Sequence, residues 1–279
     1  MRAVVILARL TLKEATRRRA FLVGIVILLL FLLLYVLRLV SEAQTGPRPV
    51  PIDAMRVTPL LAMMRFFAAV LAMSMAAPTL ATEFERGTHY VILARPLSRA
   101  EWLLGKWIGI FVAVTAMYVV WGILAALTAG LNEASMLLAF ARGAAVGLLY
   151  VAVFMTVTFC FSAISSATLA TGMGYVWLFL GWSEGGLRST AEVLGAGGRP
   201  SAIWLMAADV ASFLSPVSML ARTATTTVVG SVSFLERFVP TVGFVPGIGE
   251  WRPLDGIWPA LHLTLGLALA IVICSRRDV

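Results

Sequence analysis

The chain is 279 residues long, 60% hydrophobic and only 13% charged, where a soluble domain runs about 45–50% apolar and about 25% charged. A chain this apolar lacks the polar residues to coat a water-soluble core, which excludes an ordinary cytosolic enzyme and a disordered chain. Its formal charge of +8, from 22 basic and 14 acidic residues, points in such a chain to membrane orientation before nucleic acid.

Residues 1–20 carry six basic side chains, Arg2, Arg9, Lys13, Arg17, Arg18 and Arg19. They are expected to form an amphipathic helix on the membrane surface, with Val5 and Leu12 toward lipid and Arg9, Lys13 and Arg17 toward phosphate. The first apolar run starts only at Phe21 and is too long for the core of a cleavable signal. A helix needs about 20 apolar residues to cross the hydrocarbon core. Six segments qualify by this reading: 21–37, 57–80, 107–129, 136–161, 164–182 and 257–274. The class expected is an all-α membrane protein with one transmembrane domain over 1–279.

Arg65 interrupts the second span. A charge in a membrane helix is costly and marks function by default. Yet it lies about 12 Å from the end of that span by helix rise, within snorkelling reach. A place on a translocation route and a snorkelling or structural role both stay open. In the other spans Ala139, Gly143 and Gly147 are spaced for close helix contact. His262 suits a hydrogen bond between helices, and His89 and His262 make no metal site. Cys160 and Cys274 are expected as free thiols.

The connections differ in character. Segment 41–56 is short and Pro-rich, and 130–135 and 162–163 read as tight turns. Segment 183–256 is long and rich in Gly and Pro. Within it, 201–221 is nearly apolar enough for a seventh span, but Asp209 and the break at Leu214-Ser215-Pro216 favour a re-entrant or interfacial pair of helices. Trp251 and Trp258 suit an interfacial belt. With the N-terminus placed inside, the inner segments hold twelve basic and five acidic residues, and the outer ones nine of each. The basic residues near the span ends thus favour both termini in the cytoplasm.

Segment 81–106, ATEFERGTHYVILARPLSRAEWLLGK, is too long and too patterned for a turn. Gly87 is expected to end the second span's helix, and Thr88 to cap a short helix over 89–94. Pro96 stops that helix. Ser98 and Glu101 then have capping-box spacing and launch the helix that enters the third span. The result is a cytoplasmic elbow with charged flanks and an apolar centre, suited to a partner's groove or to the bilayer surface.

These residues carry a resemblance. E-F-E-R-G-T, L-A-R-P-L-S-R and L-L-G-K resemble the cytoplasmic signature of ABC-2 type transporter permeases, in the NosY-like branch; the tail Arg276-Arg277-Asp278 is also similar. The resemblance implies a permease present as a homodimer or with a paralogue, bound to two ATPase subunits. It places the chain in a bacterial or archaeal cytoplasmic membrane. It makes 1–20 an elbow helix and 81–106 the coupling segment, with Glu83, Glu85, Arg86, Gly87, Thr88, Arg95, Pro96, Ser98, Arg99 and Lys106 at the ATPase contact. The 162–163 turn would add a smaller contact. Gly105-Lys106 is the chain's lone Gly-Lys pair and is followed by Trp107, so no G-x-x-x-x-G-K-[ST] phosphate loop exists. ATP and Mg are therefore expected on a partner, with no catalytic centre, cofactor or nucleic acid on this chain. An ion-coupled transporter is disfavoured because the six spans hold no Asp or Glu, and a non-transporting scaffold is the other alternative.

Overall fold

The computed structural model describes residues 2–17, 19–45, 54–87, 98–131, 134–195, 199–229 and 252–276. Its elements are all α-helices: α1 (Arg2–Ala15), α2 (Arg19–Thr45), α3 (Ala54–Arg86), α4 (Arg99–Ala129), α5 (Ala134–Ile164), α6 (Ala167–Val193), α7 (Ala202–Leu214), α8 (Val217–Val229) and α9 (Pro253–Arg276).

α3 and α5 form the centre. Their apolar stretches are each 67% buried, against 17% for α2 and for α9. Small residues let them pack closely: Ala68, Ala72, Ala76 and Ala77 of α3 are fully buried against Val151, Met155 and Phe159 of α5 and its neighbours. α2 and α9 leave Leu22, Val26, Leu29, Leu33, Leu265 and Leu269 exposed, the pattern of helices whose outer faces meet lipid rather than protein.

Among the described residues, five helices are long and apolar enough to cross a membrane: α2, α3, α4, α5 and α9. α7 and α8 meet at an 80° bend and would make a sixth span if counted as one. The break falls at Ser215 and Pro216, as the sequence predicts. α6 covers the expected fifth span and is 27 residues long, but its Gly, Thr and Ser content keeps it out of the apolar set. The turn expected at 162–163 lies at Ser165-Ser166 instead. α5 runs on because Ser162 is claimed by α3: its hydroxyl donates to the Ala77 carbonyl at 2.6 Å and accepts from the N–H of Leu80 and Ala81. Pro78, with no N–H of its own, sits in the middle of that exchange.

α1 is not simply laid on the surface. Val4, Leu7, Ala8 and Thr11 pack on α4, where a Cβ at Gly105 would fall 2.6 Å from Leu7 Cβ and one at Gly109 2.7 Å from the Ala8 carbonyl. Only residues without a side chain allow this approach. The face expected toward lipid is thus turned partly inward. Leu12 packs against the core, and the exposed apolar residues are Val5, Ile6 and Leu10.

Arginines finish two helices. Arg38 of α2 donates to the Leu127 and Thr128 carbonyls at the end of α4, beside Gly130, whose φ of 73° suits glycine. Arg99 of α4 does the same for α9, donating to the Cys274 and Ser275 carbonyls at 2.8 and 3.0 Å. Cations at these positions also meet the negative end of the helix dipole.

Candidate functional site

The candidate site is the junction of α3 with α4. α3 carries Glu83, Phe84, Glu85 and Arg86 to its end, and Gly87, with φ 68°, closes it. α4 begins at the predicted capping box: the Ser98 hydroxyl accepts from Glu101 N–H at 3.2 Å, and the Glu101 carboxylate accepts from Ser98 N–H at 3.1 Å. Two orphan donors of the first turn are thereby satisfied. Of the expected contact residues, Thr88, Arg95 and Pro96 lie outside the described residues, as does the 89–94 helix.

The structure brings Glu83 and Lys106 together in an ion pair. The Lys106 side chain is 6% exposed and that of Glu83 19%. Lys106 Nζ also lies 5.3 Å over the Trp102 ring, and Phe84 meets that ring edge-on at 5.8 Å. A mostly buried cation held by a carboxylate and an aromatic face is a specific clamp between the two helices. Glu85 and Arg86 point away from it and are exposed. Arg99 joins the start of α4 to the end of α9, as described above. The α3 side of the junction is therefore tied to α4 and α5, and the α4 side to α9. Of the membrane-surface residues, Arg9, Lys13 and Arg17 are exposed, and the side chains of Arg18 and Arg19 lie outside the described residues.

Arg65 does not snorkel. It is 3% exposed, inside the bundle near Tyr118 and Tyr150. Gly147, noted for its spacing, makes room for this contact rather than for a helix backbone: a Cβ there would fall 2.0 Å from Tyr118 Oη and 3.1 Å from Arg65 Cγ.

At the other end of α9 stands a second ionic system. Arg222 of α8 holds Asp255 of α9 through two hydrogen bonds of 3.1 and 2.9 Å and approaches Glu184 of α6 at 3.5 Å. Arg188 binds Glu184 at 2.6 Å and Asp209 of α7 at 2.7 Å. The network borders a cleft of about 460 Å³ that Arg252 and Phe213 also line. Trp258, expected in an interfacial belt, stacks on Phe213 and donates to its carbonyl at 2.8 Å. Carboxylates thus do enter the helices: Glu184 and Asp255 were placed outside the spans by hydropathy, and both are buried in salt bridges. His262 packs between the rings of Trp177 and Trp258. Cys160 and Cys274 form no disulfide with each other and are buried.

Sequence reasoning missed the Gly105–Gly109 dock, Ser162, Tyr118 and the Arg222–Asp255 pair. The first had a signal, small residues four apart at the head of a span, which overlaps the L-L-G-K motif.

Five to six membrane-length helices around a small-residue core, with a helix docked across one end, define a multi-pass α-helical membrane protein. Residues 5–187 match the model of the ABC-2 family transporter protein, and the chain belongs to that family. The match runs from α1 into α6, taking in the Glu83–Lys106 clamp and ending before Arg188. No curated protein matches the chain.

Proposed function

We propose that the chain is the permease subunit of an ATP-driven ABC-2 transporter of the NosY-like branch, acting as an exporter. Membership of the family supports an ATPase partner in general. In this reading two ATPase subunits, which hold ATP and Mg, serve a homodimer or a pair of paralogues in a bacterial or archaeal cytoplasmic membrane, with both termini cytoplasmic. The chain itself carries no catalytic centre.

The observation that carries the reading is the pair of ties at the root of 81–106. A push on this segment reaches α3 and α4 through Glu83 and Lys106, and α9 through Arg99. Ser162 carries it to α5. One displacement thus has four helices to act on, which is what converting ATPase closure into alternating access requires. Val5, Ile6 and Leu10 beside Arg9, Lys13 and Arg17 suit α1 to the cytoplasmic lipid surface. Arg65 lines a route only in a state where α3, α4 and α5 have parted.

Crosslinking tests the coupling role. Cysteines placed at 88–95 of an otherwise thiol-free chain are expected to crosslink to the co-expressed ATPase, with a yield that changes on ATP addition. An assembled, ATP-hydrolysing complex without such crosslinks refutes it.

A further inference from the structure

The least explained charge is Arg65, and its surroundings define a chemistry. Among the described residues no carboxylate pairs with it, whereas the buried Arg222 has two. Arg65 Nη1 and Tyr118 Oη are both buried without a hydrogen-bond partner, and so is Thr115 Oγ1 one turn earlier on α4. Tyr118 is 2% exposed and presses on the same point of the α5 backbone as Arg65. Tyr150, also 2% exposed, is the other polar neighbour.

A guanidinium keeps its proton in a protein and offers donors only. Its burial away from any counter-charge is strongly unfavourable. Donor-only Arg65 and the unpartnered Tyr118 hydroxyl beside it are complementary to a negatively charged acceptor. Enclosure by α3, α4 and α5 restricts that acceptor to a small one. We propose that Arg65 and Tyr118, with Tyr150 alongside, form a buried binding site for a small monovalent anion of the halide type.

The test uses the full chain in phosphatidylcholine nanodiscs, with thermal unfolding followed by tryptophan fluorescence. Chloride is titrated against gluconate at constant ionic strength. The midpoint is expected to rise by roughly 3–5 °C for each tenfold increase in chloride above its dissociation constant, as for any ligand of the folded state. Arg65→Met is expected to remove the dependence while leaving every surface charge in place, and Tyr118→Phe to raise the half-saturating chloride about tenfold, the loss of one hydrogen bond to a charged group. A wild-type midpoint that is the same in chloride and gluconate overturns the site, as does a chloride dependence that survives Arg65→Met. If Arg65→Met does not fold, Tyr118→Phe decides: unchanged half-saturation overturns the site.

Discussion

The helix bundle is held in different ways at the two ends of α9. At Ser275 the hold is a set of separable links: Arg99 on two carbonyls, Glu83 on Lys106, and α1 resting on two glycines. At Asp255, about 30 Å away by helix rise, one continuous network of two arginines and three carboxylates joins α6, α7, α8 and α9. Separable links let one element shift without undoing the rest. A connected network whose centre, Glu184, Arg222 and Asp255, is buried resists piecemeal change, because each of these charges depends on the others. In the proposed coupling role, the difference suits the α3–α4 end to movement and the other end to a fixed frame. The family match covers the α3–α4 junction and stops at Leu187, short of Arg188, Asp209, Arg222 and Asp255.

Substitutions can break that contrast. Asp255→Ala should be the most damaging: it removes both short hydrogen bonds of the buried Arg222 and leaves it Glu184 alone at 3.5 Å, a cost of about 3 kcal/mol, seen as a large fall in the thermal midpoint of the purified chain. A small loss there would mean the network is no frame. Gly109→Leu should cost about 1–3 kcal/mol through overpacking and release α1, measured as faster proteolysis near the N-terminus with the rest of the chain intact. Lys106→Met should lower stability by about 2 kcal/mol, since Glu83 loses a charged partner, and should reduce ATPase stimulation in the assembled complex more than its stability loss would. Exchanging the pair, Glu83→Lys with Lys106→Glu, should recover part of both. Arg99→Ala should be mildest, about 1 kcal/mol, and should appear as increased hydrogen exchange at the C-terminal turn of α9. Equal losses at Arg99 and Asp255 would erase the distinction between the ends.

What the sequence made legible was local. Apolar runs located most of the membrane-length helices, and the Ser98–Glu101 box, the Gly87 stop and the Ser215-Pro216 break need only neighbouring residues to be read. The features that escaped join positions far apart in the chain: Leu7 with Gly105, Ala77 with Ser162, Arg99 with Ser275, Arg65 with Tyr118. Arg65 shows the limit well. Its depth in the span allowed snorkelling, and only the packing of α4 and α5 around it removes that outlet. Glu184 and Asp255 mislead in the opposite sense. They looked like markers of an aqueous loop because hydropathy counts a carboxylate as exposed, whereas Arg222 carries both into the protein. Ser162 likewise resembled a turn residue until its three bonds to α3 were in view.

The seat of α1 on Gly105 and Gly109 has a consequence for biosynthesis. α1 leaves the ribosome before its partner surface, which is made nearly a hundred residues later, after α2 and α3. Throughout that interval Val4, Leu7 and Ala8 have no protein to cover them. A nascent helix with Ile6 and Leu10 on one side and Arg9 and Lys13 on another has a waiting place on the lipid surface, from which it reaches α4 by sliding in two dimensions. The glycines then set the order of assembly: α1 cannot dock until α4 is made, so a helix synthesised early finds its place late.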